Sequence, residues 1–257
     1  MEMRGLEGRV ALVTGAGGGI GRAIRSRFVE EGITVVAADI DEGSLRSLSR
    51  NTGSGGRGVY PVRLDITDFM AVQNPVVNAV SRFGSIDILV NNAGWDVARP
   101  FVETAPDFWD KVIAINLKGP LNLHRAVLPH MIRTGQGKII NIASDAGRVG
   151  SRGEAVYSAC KGGLISFTKT IARECATNNI VVNAVCPGPT DTPLLRSFAG
   201  DGEYGQKIYD RLQKAIPLKR LGQPTDLPGI IAFLASDDAN FITGQTISVS
   251  GGLTMHG

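Results

Sequence analysis

The chain has 257 residues, room for one large α/β domain or two small ones. Apolar residues make up 43% and charged residues 20%, which excludes an intrinsically disordered chain, and no apolar run approaches the roughly 18 residues of a membrane helix. The 27 basic and 24 acidic residues leave +3 with no block of one sign, so the expected partners are small molecules or copies of the chain, not nucleic acid or membrane.

Apolar β-type runs alternate with segments of helical period. A strand is predicted over 9–14, a helix over 20–31 closed by Gly32, a strand over 33–38 and a helix over 41–51. A strand over 58–64, a helix over 67–83 and a strand over 86–91 follow. The second half continues with a mostly helical 107–133, a strand over 138–143, a helix over 155–177, a strand over 180–186, a helix over 224–235 and a last strand over 245–249. Near-continuous apolar strands separated by helices predict a doubly wound α/β fold with a parallel sheet covered on both faces. No linker, repeat or low-complexity tract divides the chain, so residues 1–257 read as one catalytic domain. Residues 188–222 stand apart: prolines 189, 193 and 217 surround a short helical stretch near 203–214, the pattern of a lid or binding loop.

Cys160, Cys175 and Cys186 are odd in number and have no C-x-x-C spacing, which fits reduced thiols in a cytoplasmic protein, and residues 1–8 lack the apolar stretch of a signal peptide. Glycine is the outlier, with 33 residues, nearly twice the usual ~7% share. Several of these glycines fall in Thr14-Gly15-Ala16-Gly17-Gly18-Gly19-Ile20-Gly21, between the first strand and its helix. Such a turn brings backbone close to a pyrophosphate, and the helix N-terminus supplies free N–H groups. Asp39 ends the second strand, where a carboxylate accepts from both hydroxyls of an adenosine ribose and repels a 2′-phosphate. No Lys or Arg stands at Gly17, Gly18 or Ile40, so the expected cofactor is NAD; the alternative is that Asp39 caps the next helix, which Asp41 does as well. Asp65, followed by Ile66, reads equally as an acceptor for the adenine amino group and as a cap for a helix at Thr67.

Tyr157 and Lys161 are one helical turn apart, and an ammonium so placed favours the phenolate, predicting a lowered tyrosine pKa. On its own the pair is common on surface helices. With Thr14-Gly-x-x-x-Gly-Ile-Gly21, Asn91-Asn92-Ala93-Gly94, Asn116, Ser144 and Pro187-Gly188 through Thr192, in that order, the chain resembles the short-chain dehydrogenase/reductase family from about Arg9 to Gly252.

The resemblance implies roles for these positions. Tyr157 would be the acid/base, Ser144 would hold the substrate oxygen, Lys161 would hold the nicotinamide ribose, and Asn116 would bind a water leading to Lys161. Gly15, Gly19, Ile20, Gly21, Asp39, Asp65, Ile66, Asn92 and Gly94 would line the adenosine and phosphate side, and Pro187, Gly188, Thr190 and Thr192 the carboxamide end. Homotetramers built on the two long helices, 107–133 and 155–177, and the tail are also implied.

Further segments, Asn91 to Asp96, Asn141 to Gly150, Gly153 to Tyr157, Val185 to Thr192 and Ser248 to Met255, resemble the 2-hydroxycyclohexanecarboxyl-CoA dehydrogenase branch, which oxidises a ring hydroxyl β to a CoA thioester. Arg148 and Arg152 would then grip CoA phosphates, or else form salt bridges or lie solvated. Trp95, Leu194, Leu195 and Phe198 would wall a ring pocket, or simply pack. Glu154 either tunes Tyr157 or begins its helix, and His124 and His130 read as packed or capping residues, with no metal site. Other activities stay open: an acyl-carrier-protein ketone reductase, a dehydrogenase of a cyclic alcohol, diol, polyol or steroid, and a silent nucleotide-sensing module, against which the complete set Asn116, Ser144, Tyr157 and Lys161 argues.

Overall fold

The computed structural model describes residues 3–46, 48, 58–199 and 202–255, with the side chains of 197–199 and 203–204 outside that description. Among the described residues the strands are β1 (Val10–Thr14), β2 (Thr34–Asp39), β3 (Val59–Arg63), β4 (Ile88–Asn91), β5 (Gly137–Ile142), β6 (Ile180–Pro187) and β7 (Thr246–Val249). They form a seven-stranded sheet in the order β3-β2-β1-β4-β5-β6-β7, parallel throughout.

Side-chain alternation makes two cores of one sheet. Ala11 and Val13 point to one face with Ile24 and Phe28 of α1 (Gly19–Glu30), while Val10 and Leu12 join Leu89, Leu123 and Met131 on the other. Every residue of β1, β4 and β5 is buried, as expected of central parallel strands covered on both sides. Each large apolar side chain buried this way contributes about 1.5–3 kcal/mol. The chain reverses direction across the sheet between β1 and β4, and the crevice beyond their carboxyl ends is where open α/β sheets bind ligands.

The short α2 (Glu42–Arg46) is capped by Asp41, whose carboxylate accepts from the Gly43 and Ser44 amides; most of the remaining predicted helix over 41–51 lies outside the described residues. Helix α3 (Phe69–Phe83) starts later than Thr67 because Asp68 supplies the cap, accepting from Met70 N and Ala71 N. The segment predicted as one helix over 107–133 is three pieces: α4 (Pro106–Ile113), a π-helical turn (Ala114–Lys118) and α5 (Gly119–Thr134). A short α6 (Ala146–Val149) precedes the long α7 (Ala155–Cys175).

The insertion after β6 is largely helical, with α8 (Pro193–Ala199) and α9 (Gly202–Ala215), before α10 (Pro228–Ala235) returns to the sheet. Its base is pinched shut, since Asp191 N donates to Gly222 O and Gly222 N to Pro189 O. Among the described residues no helix is long and apolar enough to cross a membrane, and no cluster of His, Cys, Asp or Glu has metal-binding geometry.

Candidate active site

The glycine-rich turn is built as a cradle. Gly15 has φ +62°, a conformation that disfavours side chains, and a Cβ on Gly21 would fall on Gly15 O and within 2.7 Å of Asn92 Nδ2. Asn92 closes the turn from β4: its Nδ2 donates to Thr14 O at 3.0 Å and Gly15 O at 3.2 Å, and its own N–H donates to Thr14 Oγ1. Asp39 ends β2 against the same turn, with Oδ2 accepting from Gly17 N at 2.9 Å and Oδ1 from Asp41 N at 3.1 Å. It caps no helix; Asp41 does that. The exposed Arg22 of α1 folds back onto Gly17 O at 3.2 Å, a cation by the turn that inspection of Gly17, Gly18 and Ile40 did not anticipate. Ile20, half-buried, packs its side chain into the core and leaves the backbone of the first helical turn to the cradle.

Asp65 binds locally, its Oδ1 accepting from Thr67 N at 2.9 Å and Thr67 Oγ1 at 2.7 Å, which orders the turn ahead of α3 without capping it. Ile66 is buried, and its carbonyl accepts from Asn122. On the other side of the crevice Gly188 N donates to Val249 O, and Thr190 Oγ1 to Gly188 O. Thr192 Oγ1 accepts from Leu195 N at the start of α8, and its methyl would lie 3.1 Å from a Cβ on Gly19, so the first helix of the insertion sits over the cradle. Leu195 is half-buried and Leu194 exposed on α8, while the Phe198 side chain lies outside the described residues. These residues fit a dinucleotide: a turn without side chains at the helix N-terminus, a carboxylate at the ribose position, and an open backbone at Gly94, where a Cβ would meet Asn116 Oδ1 at 3.1 Å and Lys161 Nζ at 3.7 Å.

The catalytic candidates meet beside Gly94. Ser144 lies two residues beyond β5 and hydrogen-bonds Tyr157 near the start of α7, while its Oγ accepts from Ala146 N at 3.1 Å. Lys161, one turn further, is buried; its Nζ donates to Ile142 O at 2.9 Å and lies 5.5 Å from the centre of the Tyr157 ring. Burial brings the Lys161 ammonium down to about 8. Asn116 is fully buried in the π-helical turn, donating through Nδ2 to Trp95 O at 2.6 Å and Val112 O at 2.9 Å and accepting from Trp95 N at 3.2 Å. Here it fixes the loop that follows β4, and the inserted residue of the π turn turns its amide towards that loop.

The chain's own groups around Tyr157 push its phenol in the direction opposite to the lowering that Lys161 was expected to give. Burial pushes the phenol well above its ordinary range; the carboxylates of Glu154 and Asp96 push it further, and only the bond from Ser144 opposes them. Lys161, buried on α7 with its Nζ bound to Ile142 O, is not among the groups that shift the phenol. Glu154, which the sequence left between two roles, makes no side-chain cap to α7 and acts on Tyr157 instead. Asp96 was not foreseen at all; it is 7% exposed, its carboxyl is raised to about 7 by burial and by Glu154, and its Oδ2 has no partner. The faint signals were the spacing of Glu154 to Tyr157 and a carboxylate directly after Trp95.

Among the substrate candidates, Trp95 is half-buried against Phe108, with Lys111 Nζ 3.8 Å above its ring. Arg148 is committed to β7, donating to Ser248 Oγ at 2.9 Å and Thr246 O at 3.4 Å, so its structural role displaces the expected phosphate grip; Arg152 is exposed. His124 is buried edge-on to Phe167 and bonded to Pro120 O, and burial brings it down to about 4.

Residues 15–254 match the family model described as enoyl-(acyl carrier protein) reductase. Among curated proteins the chain is 40% identical to the 3-oxoacyl-[acyl-carrier-protein] reductase FabG of Thermotoga maritima, over 97% of this chain and 99% of that one. It is 37% identical to the FabG of Escherichia coli, over 97% and 98%. The 3-ketoacyl-(acyl-carrier-protein) reductase of Brucella melitensis complexed with NADH superposes with a TM-score of 0.87 at 34% identity, covering 97% of this chain and 100% of that one. The ligand-free aldohexose dehydrogenase of Thermoplasma acidophilum superposes at 0.88 and 32%, covering 99% and 97%.

Proposed function

The chain belongs to the short-chain dehydrogenase/reductase family of oxidoreductases, and on that footing we propose that it interconverts a secondary alcohol and a ketone at the β-carbon of an acyl-CoA thioester, using NAD(H). The observation that carries the reading is the meeting of Ser144 and Tyr157, with Lys161 one turn away, below a turn that fits a dinucleotide.

Gly15, Gly19, Gly21, Asn92 and Asp39 would hold the adenosine and phosphate half, and Gly94, Lys161, Gly188, Thr190 and Thr192 the nicotinamide half. The bound nicotinamide supplies the hydride acceptor or donor. In oxidation Tyr157 takes the hydroxyl proton on its phenolic oxygen while Ser144 hydrogen-bonds the same substrate oxygen; in reduction Tyr157 returns that proton to the carbonyl oxygen. Lys161 holds its charge at the ribose position, braced by Ile142 O.

The thioester rests on the relatives, which are named for 3-oxoacyl substrates, and on the segments around Trp95 and Ser144; the narrower substrate is a cyclic β-hydroxyacyl-CoA, with the exposed Arg152 as the phosphate contact. NAD over NADP rests on Asp39, whose charge opposes a 2′-phosphate. The reading extends to a cytoplasmic homotetramer, supported by three buried free thiols and by exposed apolar side chains such as Ile113 and Ile132 on the long helical segment. The unpartnered oxygen of Asp96 favours a second reading, a polyhydroxy substrate whose extra hydroxyl would donate to it, as a sugar would.

Initial rates decide between them, measured with 2-hydroxycyclohexanecarboxyl-CoA, a linear 3-hydroxyacyl-CoA, the free cyclic acid, a cyclic diol and an aldohexose, each with NAD and NADP. The proposal expects kcat/KM at least tenfold higher for a CoA thioester with NAD. Equal or faster oxidation of the diol or sugar would replace it with the second reading.

A further inference from the structure

The turn that carries Ser144 is held on both of its sides. Behind it, Ala143 N donates to Val185 O and Asp145 N to Pro187 O, which continues the pairing of β5 with β6 past the end of β5. Ahead of it α6 starts at once, with Ala146 N on Ser144 Oγ at 3.1 Å and Gly147 N on Ser144 O at 3.0 Å. A Cβ on Gly147 would fall 2.6 Å from Gly162 N and from Lys161 C, so α6 and α7 touch backbone to backbone one turn beyond Tyr157. Asp145 and Arg148, three residues apart on one face of this short helix, both reach β7. Asp145 is buried and its Oδ1 accepts from Ser248 Oγ, while Arg148 donates to the same Oγ at 2.9 Å and to Thr246 O at 3.4 Å. The Ser248 hydroxyl thus joins a carboxylate to a guanidinium, giving its one proton to the first and a lone pair to the second.

We propose that Ser248 is a positioning residue for the reaction: through Asp145 and Arg148 it fixes the turn after β5 and so aims the Ser144 hydroxyl at the substrate oxygen. This rests on Ser144 holding that oxygen in the function proposed above. The bonds to β6 fix where the Ser144 backbone lies, but the direction of its Oγ follows Ala146 N, which belongs to α6. A helix of four residues has too few internal bonds to hold its own place. The Gly147 contact sets how closely α6 lies on α7, and the clamp, gripping Asp145 and Arg148 together, keeps it from pivoting about that contact. Without the Ser248 hydroxyl the carboxylate and the guanidinium each lose a hydrogen bond, and the turn must shift to recover them. A displacement of about 1 Å at a group that holds the reacting atom is enough to cost about 10²-fold in rate. The cofactor cradle is held separately, by Asn92 and Asp39, so the affinity for NADH should not change.

The test couples kinetics to hydrogen exchange in the full-length protein. With the alcohol turned over fastest among those named above, Ser248→Ala is expected to lower kcat by about tenfold while the affinity for NADH stays within about twofold of the parent. Ser248→Thr keeps the hydroxyl and should recover most of the loss. In a Ser144→Ala background Ser248→Ala should cost no further turnover, because the group it aims is gone, whereas a role in packing alone would lower both backgrounds alike. Arg148→Met, which keeps the stem and removes the guanidinium, should repeat the pattern of Ser248→Ala and gives a second route to the same comparison. Amide exchange over residues 144–150, read by mass spectrometry, should quicken by about tenfold in Ser248→Ala and return in Ser248→Thr. Unchanged exchange, unchanged kcat, or equal losses in the two Ser144 backgrounds would each overturn the proposal. Quickened exchange in a protein whose parent turns over no alcohol or ketone would uphold the clamp and remove the function on which it rests.

Discussion

Asp39 holds the glycine-rich turn, and in the proposed function the same side chain selects NAD(H). Its carboxylate ties the glycine-rich turn through Gly17 N and its own loop through Asp41 N. Replacing it with Ala removes both the ribose acceptor and the charge that repels a 2′-phosphate, so the ratio of kcat/KM for NADH over NADPH should fall by at least tenfold, about 1.4 kcal/mol of discrimination. An unchanged ratio would show that selectivity lies elsewhere, with Arg22 the first place to look. Asp96 makes a different prediction, on stability. Burial raises its carboxyl from 3.8 to about 7, so the folded chain binds that proton more tightly than the unfolded one. The stabilisation is fully present below the unfolded value and is lost as pH rises through about 7. Asp96→Asn should therefore gain on the parent between about pH 4 and pH 8, by on the order of 2–4 kcal/mol. Denaturant midpoints at the two pH values check it, and a pH-independent difference would contradict it.

The π-helical turn between α4 and α5 is the element on which the site leans most. It turns the Asn116 amide to Trp95 N and O and to Val112 O, and so fixes the loop carrying Asp96 and Gly94. Asn116→Ala would strand two buried carbonyls and cost about 2–4 kcal/mol by denaturant unfolding; a loss below about 0.5 kcal/mol would mean the loop holds itself. The turn was invisible in the sequence because the apolar period runs on through 107–133, and one extra residue in a helix leaves no break in such a pattern. Only the placement of Asn116, a poor helix-interior residue, hinted at it. Long elements with a sustained period, such as α3, α7 and the apolar strands, were readable to within a few residues. Helices α6 and α8 were not, since four and seven residues are too few to display a period.

The parallel sheet explains why motifs scattered along the chain form one site: β1, β4, β5 and β6 all end at the same edge, delivering the cradle, Gly94, Ser144 and Gly188 together. Those residues were readable because backbone-driven motifs are local. The Asp96 and Glu154 pair was not, because it exists only where two distant loops are joined by Arg99 and Gly153. Lys161 shows a further limit: spacing placed it one turn from Tyr157 but did not reveal its bond to Ile142 O. The claim on which the whole account depends is that Tyr157 transfers the proton in a nicotinamide-linked reaction. The most direct test is turnover of Tyr157→Phe beside its NADH affinity, read by fluorescence titration. The account predicts affinity within about threefold of the parent and a kcat lower by about 10²–10⁴-fold. A Tyr157→Phe protein that turned over substrate at the parent rate would contradict it.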